Sequence, residues 1–511
     1  MKKLYFIISL LSLVFIISSC NLDYFPQDQM TTESISTNPD ALLNVTNGNY
    51  ALFKDGLEFN GYVDNNNCYV RQYFQLSDFA SDDVVCGQVT EDPFFYSFTY
   101  THSPDQTNSR FFWYVSYKII NGANIVIETI TNKTDELTAQ DNQLLGENYF
   151  LRAFVTFNLL KFYSKPYNIG DPNVNLGVIL RQSTSDASQE ARATVKECYD
   201  FVESDLLRAS ELMTYSRGVM YASKEAAWAI LSRLYLYKED YDLSITYADL
   251  VINSGRFLLE TENTFPDMFA NSASHSEPIF IVAFTDQDNL GKFGSIASMY
   301  YSDGNSGWGE EFASPALQDL MAINRNDVRW SMIDTLKNNL GNIVIKNGLE
   351  VFWVLKFSFQ NGDPNLSSPI FIRLAEMYLN KAESYAHKGD EFNAIENVNI
   401  IRQNRGLADD LFDAGNLLGG KTAIDIVLDE KRFEFAFEGF RTTDLIRNKK
   451  NIERNYWGYH ISNLKVNDVN LSILPSQAGF SNLSKVYDDP KIQYYIPIDE
   501  ILANPLCSQN P

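Results

Sequence analysis

Apolar residues recur at helical spacing through Ala222 to Gly255, and a polar turn, Glu239-Asp240-Tyr241, divides them into two helices. On the first, Trp228, Leu231, Ser232 and Tyr235 share a face; on the second, Ser244, Tyr247, Ala248, Val251 and Ile252 do. A small residue at 232 lets the partner helix approach, and the large residues around it fill the groove. Such a hairpin cannot bury its apolar face alone, so the pattern predicts a neighbour.

The same offsets return in Ile372 to Arg405. Tyr378 takes the place of Trp228, Ala382 that of Ser232, Tyr385 that of Tyr235 and Ala394 that of Ser244, around a turn at Lys388-Gly389-Asp390. W-x2-L-[small]-x2-Y in a unit of about 34 residues is the tetratricopeptide (TPR) spacing. The tryptophan and tyrosines in it read as core.

Helical patterning also predicts helices over Asp40–Phe53, Arg110–Ile130, Gly146–Tyr163, Thr194–Met213 with Thr194 as its cap, Pro315–Asn324, and Ala423–Asn448 with its following turn. The segments 146–163 and 194–213 are candidates for a further hairpin. Strands are expected in Pro278–Gln287 and Asn342–Phe359. Two stretches lack a helical period. Asp55–Thr107 is rich in Asn, Asp, Gly and aromatics and reads as loops with short strands. Gly291–Glu311 carries five Gly. The expected fold is mainly α: TPR-like helical hairpins form a scaffold, with a loop-rich side carrying a few short strands. Its two regions, 38–256 and 257–511, make one compact unit.

Of 511 residues, 14% are aromatic, which marks a globular chain. The formal net charge of −24 argues against nucleic acid, whose binding needs Lys and Arg to displace counterions. The cysteines, Cys20, Cys68, Cys86, Cys198 and Cys507, have no metal-ligand spacing, and with only four His in the chain no metal site or cofactor is expected. Cys68 and Cys86 read equally as a pair or as separate buried thiols.

Residues 1–19 read as an export signal, with Lys2 and Lys3 ahead of the apolar run Leu4–Ile17. Ile17-Ser18-Ser19-Cys20 resembles a bacterial lipobox, which makes Cys20 the expected lipid attachment site. Residues 20–37 form a tether.

For chemistry, Gly291–Glu311 is the first candidate. Tyr300, Tyr301 and Trp308 stand in a Gly/Ser/Asn loop, where flat rings suit the apolar C–H faces of pyranose sugars. In Ala423–Asn448, Glu430, Arg432, Glu434, Glu438, Arg441, Asp444 and Arg447 alternate in sign. Paired carboxylates serve glycoside hydrolysis, but each acid here has an Arg within reach, so a structural network is the better reading. No G-x-S-x-G or phosphate-binding Gly loop occurs.

Taken in order, a further set of residues is similar to the SusD/RagB family of outer-membrane nutrient-binding lipoproteins. It comprises the lipobox with Asn21-Leu22-Asp23 and Pro26, Leu151-Arg152-Ala153, Trp228–Gly255, Arg373-Leu374-Ala375-Glu376 and Ile400–Gly406. The helix from Glu430 to Leu445 and the tail Tyr495-Ile496-Pro497-Ile498 with Asn504-Pro505 complete it. Family tails run on through Gly-Tyr, whereas this sequence stops at Pro511, and only Asp23 and Asp28 follow Cys20 as acids that favour surface export. The resemblance implies a non-enzymatic lipoprotein at the outer membrane, facing the cell surface. Such a protein binds oligosaccharides and delivers them to a SusC-like TonB-dependent transporter; a peptide-binding lid is the alternative, and a lipid-anchored glycosidase or a bare TPR adaptor ranks lower. Phe94, Phe95 and Tyr96, with Arg71 and Asp78 as polar partners, form the second candidate contact set.

Overall fold

The computed structural model describes residues 40–64, 66–86, 94–303, 306–309, 311–335, 340–342, 345–346, 349–350, 352–454 and 484–511. The signal, Cys20 and the tether lie outside the described residues. The chain divides into Met1–Asn44, described only from Asp40, and Val45–Pro511. The second unit holds all the described strands and every described helix after the first.

The principal helices are α1 (Ala41–Ala51), α2 (Tyr69–Asp78), α3 (Phe94–Thr99), α4 (Thr107–Thr131), α5 (Ala139–Tyr163), α6 (Val195–Leu212), α7 (Lys224–Tyr237), α8 (Tyr241–Asn253), α9 (Leu374–His387), α10 (Glu391–Asn404), α11 (Ala423–Phe435), α12 (Arg441–Arg447) and α13 (Ile498–Ala503). Short helical turns lie between them.

Local chemistry starts these helices where the pattern expects. Thr194 and Thr422 each close a reciprocal cap with the carboxylate three residues on, Glu197 and Asp425. Ser223, Asp240 and Asp390 each accept an amide proton from the first turn of α7, α8 and α10. Consecutive helices then pack side by side from α4 to α10. The Ser232 hydroxyl donates to the Ser244 carbonyl at 3.0 Å, so the small residue sets the α7–α8 approach. The two TPR-like hairpins meet through α8 and α9, tied by Lys381 to Asp249 at 2.6 Å and by the two-pronged contact of Arg233 with Glu376 at 2.6 and 2.7 Å. Helices α5 and α6 form the further hairpin, joined by Arg152 and Asp205.

Among the described residues the β structure is five two-stranded antiparallel pieces. The strand expected in 278–287 is β4 (Pro278–Ile281), paired with β10 (Ile370–Arg373). The strands expected in 342–359 are the β7–β8 hairpin (Ile345–Lys346, Leu349–Glu350) and β9 (Phe352–Val354), which pairs with β6 (Ile333–Thr335). Beside β4 and β10 lies an aromatic core in which Phe53, Phe74, Phe154, Phe280 and Phe371 make ring contacts between 4.6 and 6.5 Å with one another or with Tyr69 and Tyr73.

Two expectations need correction. Residues 69–78 form helix α2 instead of a loop. Arg71, Gln72, Gln75 and Asp78 recur at helical spacing, a period overlooked between Asn- and Asp-rich flanks, and all ten residues are buried, so the polar stripe faces protein and not solvent. The stretch 423–448 is two helices, because Phe437 (φ 67°) and Gly439 (φ 82°) turn the chain between α11 and α12. Of the two readings left open for Cys68, the structure gives the unpaired one: it carries a free buried thiol, as do Cys198 and Cys507. Burial pushes the Cys68 thiol up to about 11.

Candidate ligand-binding site

Strand β3 (Val84–Cys86) pairs with β5 (Glu311–Ala313) in the register Val84↔Ala313, Val85↔Phe312, Cys86↔Glu311. The Ser314 amide and hydroxyl donate to the carbonyls of Asp83 and Asp82, both at 2.8 Å. These bonds bring the two irregular stretches of the sequence, 55–107 and 291–311, to one side of the molecule.

Within 291–311, the sequence Ser306-Gly307-Trp308-Gly309 runs back over the helical turn Ala297–Tyr300. The Ser298 carbonyl accepts from the amides of Trp308 and Gly309 at 2.6 and 2.7 Å, and its hydroxyl donates to the Ser295 and Phe293 carbonyls at 2.6 and 3.2 Å. Both glycines are required. They hold φ of 69° and 61°, and a Cβ on Gly309 would lie 2.5 Å from Trp353 Cη2 and 2.6 Å from Ser302 Cβ. This backbone presents the Trp308 ring beside that of Phe293, centroids 5.1 Å apart and planes at 65°. Both are exposed, Trp308 by 43% and Phe293 by 52%. The Lys292 ammonium lies 6.0 Å from the Phe293 centroid. Phe359, 38% exposed, packs edge-on to Tyr301 at 5.3 Å. Asn289 to Asp363 (2.7 Å) and Asn361 to Asp286 (3.0 Å) join their two loops.

The structure separates the sequence candidates. Trp308 is a surface ring. Tyr300 is not: 1% exposed, it stacks on Phe357 at 5.4 Å, meets Phe79 and Phe437 edge-on, and its hydroxyl reaches Asp78 at 3.5 Å. Tyr301 is buried too, behind Phe359. Arg71 and Asp78 converge on this interior. Arg71 contacts the Asn66 carbonyl and Met299 Sδ, and Asp78 accepts from the Gly439 amide at 2.9 Å. Burial pushes the Asp78 carboxyl up to about 8 against the pull of the Lys161 charge. These four residues support the loop from beneath; the expectation that loop aromatics stand outside the core fails for the two tyrosines because Phe79, Phe357 and Trp353 roof them. Tyr96 is 39% exposed on α3; the side chains of Phe94 and Phe95 lie outside the described residues. Phe293 and Phe359 were missed, though Phe293 stands between Gly291 and Gly294 in the same loop and its Gly-rich setting was the available signal.

The acid–arginine cluster on α11 is interior. Glu434 receives Arg329, Arg373 and Arg405, Glu438 receives Arg373 and Lys356, and Glu430 receives Arg329 and Arg402. Burial raises the Glu434 carboxyl, but the charges of Arg405, Arg373 and Arg329 outweigh it and hold it well below the usual carboxylate range. Arg441 grips Asp82 at 2.7 and 2.9 Å, and Arg432 grips Asp83 at 2.6 Å, so the same helices anchor the 79–86 loop that leads into β3. Among the described residues no group of three or more His, Cys, Asp or Glu side chains is arranged to hold a metal ion, and no helix is long and apolar enough to cross a membrane.

Residues 58–236 match the model of a SusD-like family described as starch-binding and associating with the outer membrane, and residues 350–511 match the model of the SusD family. The chain belongs to the SusD/RagB family. It is similar to SusD-like protein P38 of Formosa agariphila, 24% identical over 86% of this chain and 90% of that one. SusD-like protein P2 of the same organism is 26% identical over 68% and 74%. Among solved structures, a SusD superfamily protein of Bacteroides thetaiotaomicron superposes with a TM-score of 0.79 at 26% identity, covering 92% of this chain and 99% of that one. A protein of Bacteroides vulgatus described as a putative sugar binding protein gives 0.74 at 24%, covering 92% and 98%. The mainly helical, TPR-like architecture is therefore that of the family.

Proposed function

We propose that this SusD-family protein captures saccharide chains without catalysis and hands them to a SusC-like TonB-dependent transporter in the outer membrane, tethered through lipid on Cys20. The observation that carries the binding half is the exposed Phe293–Trp308 pair, held by Ser298 and by glycines that no other residue would replace without strain. Ring faces of this kind take the C–H faces of pyranoses, and neighbouring amides and carboxylates such as Asn289 and Asp363 suit their hydroxyls. The sugar-binding description of the Bacteroides vulgatus neighbour and the starch-binding description of the first family model support the ligand class. The non-catalytic reading is supported by Glu430 and Glu434 of α11 and Glu438 just after it, each of which is paired with a cation.

Titration calorimetry on the chain starting after Cys20, against plant, microbial and host polysaccharides and a mixed peptide digest, tests the proposal. Saturable heat from a polysaccharide, strongly weakened in F293A/W308A, is expected. Heat from peptides alone would replace the saccharide reading with peptide capture. Co-purification of a TonB-dependent transporter with the full-length lipoprotein tests the delivery half.

A further inference from the structure

A second cleft, of about 790 Å³, opens along α4. Its walls are the β1–β2 hairpin (Glu58–Phe59, Tyr62–Val63), the strap 179–188, and the start of α13. It shares no lining residue with the Phe293–Trp308 loop, and its volume lies in the range of about 300–1,000 Å³ typical of small-ligand sites.

Tyr114, Lys118 and Asn121 follow one another at i, i+4 and i+7 on α4, so they form one stripe facing the cleft. In a surface helix such a stripe is apolar and packed when it serves the core. Here Tyr114 is half-buried and Lys118 and Asn121 are exposed. The Tyr114 ring packs against Phe59 at 5.2 Å, and its hydroxyl donates to the Glu58 carbonyl at 3.2 Å, which fixes the ring plane. The Lys118 ammonium stands 5.2 Å from the Tyr114 centroid. Among the described residues Lys118 makes no ion pair, and the side chains of Lys118 and Asn121 hold no hydrogen bond to protein.

The walls are pre-set. Tyr117 donates to the Ile179 carbonyl at 2.8 Å and Asn124 to the Arg181 carbonyl at 3.1 Å, clamping the strap onto α4, and Arg152 of α5 donates to the Gln182 carbonyl at 3.1 Å. Glu128 accepts from the Thr184 amide and hydroxyl at 2.7 and 2.6 Å. On the far side Arg110 grips Asp499 at 2.7 and 2.8 Å while its guanidinium lies 5.4 Å from the Phe59 centroid. Charges on the lining balance, with Arg110, Lys118 and Arg181 against Asp186, Asp499 and Glu500, in a chain of net charge −24. A rigid aromatic floor, unengaged amide and ammonium donors, and electrical neutrality suit an uncharged polyhydroxylated chain better than an ionic one.

We infer that this cleft is a second saccharide site, taking a short neutral stretch of sugar chain with its ring faces on Tyr114 and Phe59 and its hydroxyls on Lys118 and Asn121. The inference rests on the saccharide-capture reading above. Two sites on one chain convert binding of a long polysaccharide into a bivalent event, with avidity beyond either site.

Affinity electrophoresis of the mature chain in native gels containing starch, laminarin, xylan or galactomannan tests it. The variants are F293A/W308A, K118A/N121A, Y114A, and the combination of all five changes. Lys118 and Asn121 are exposed, so their double variant keeps the test valid if Y114A does not fold. In the gel that retards wild type most, F293A/W308A should keep residual retardation that the combination removes, and K118A/N121A alone should weaken binding about a hundredfold on the polymer. Wild-type mobility of K118A/N121A and Y114A in every gel, with retardation lost in F293A/W308A, overturns the second site and leaves saccharide capture standing. No retardation of wild type in any gel overturns both.

Discussion

The amide of Trp308 lies 2.6 Å from the carbonyl oxygen of Ser298, and the amide of Gly309 shares the same acceptor at 2.7 Å. The exposed indole is thus aimed by its backbone, and the conformation it needs is open to glycine on either side. Gly309→Ala would place a Cβ against Trp353 and Ser302 at a φ of 61°. Stability should fall by about 1–3 kcal/mol, and affinity for the bound polysaccharide should fall at least about tenfold as the ring is displaced. Calorimetric titration beside a thermal melt checks both; unchanged affinity would show that ligand does not read the position of Trp308.

Tyr300 and Trp308, eight positions apart, should behave oppositely. Tyr300→Ala removes a fully buried ring from among Phe79, Phe357 and Phe437 and should destabilise by about 3–5 kcal/mol. Trp308→Ala, at a surface position, should change stability by about 0.5 kcal/mol or less while abolishing most binding. Urea unfolding curves separate the two, and a larger loss of stability at 308 than at 300 would contradict the assignment of core and platform.

The contrast shows what sequence can and cannot reveal here. The TPR-like hairpins were legible because Ser232, Ser244 and Ala382 sit at fixed offsets among large apolar residues, and local caps such as Thr194 begin helices whatever surrounds them. The acid–arginine network was legible because Glu430, Glu434 and Glu438 recur every four residues beside arginines. Helix α2 was missed although Arg71, Gln72, Gln75 and Asp78 mark a helical period, because ten residues between Asn- and Asp-rich flanks make a short signal, and that its polar stripe is buried depends on distant partners such as Gly439 and Met299. Nor could composition tell Trp308 from Tyr300 in one Gly-rich loop. Their difference depends on Phe79 and Phe357, residues more than fifty positions away that fold over one ring and not the other.

His102 supplies a pH dependence. One ring nitrogen, Nε2, lies 2.7 Å from the Lys491 carbonyl and so carries the proton, while Nδ1 is buried with no partner, and the ring packs on Tyr494 at 4.6 Å. Burial pulls its pKa from 6.5 to about 4, partly opposed by the bond to Lys491. Between those values the unfolded chain binds the extra proton and the folded chain does not, so stability falls as pH drops from about 6.5 toward 4, by about 3 kcal/mol for the full difference. Denaturation midpoints measured from pH 7 to 4.5 should fall less steeply in His102→Gln than in wild type. Identical slopes would mean that another group governs acid unfolding in this range.

Glu434 tests whether the carboxylates of α11 are structural or chemical. Its side chain is fully buried and meets Arg329, Arg373 and Arg405, which also bind Glu277, Glu438 and Asp327. Those arginines hold its carboxyl well below the usual carboxylate range, so at neutral pH it has no proton to give a glycosidic oxygen. Glu434→Gln preserves shape but leaves three buried guanidinium groups short of one negative charge. Breaking a buried ion pair from one side is strongly destabilising, by about 3–5 kcal/mol. The depressed folded-state pKa fixes the sign of the pH effect. It stabilises above the ordinary value of 4.5 and loses that stabilisation as pH falls toward the depressed value, so the deficit of the variant should be full at pH 7 and shrink in acid. Folded E434Q should still bind polysaccharide with wild-type affinity at 15 °C, and neither protein should release reducing sugar. Hydrolysis by wild type that E434Q abolishes without loss of fold would reassign the cluster as an active site.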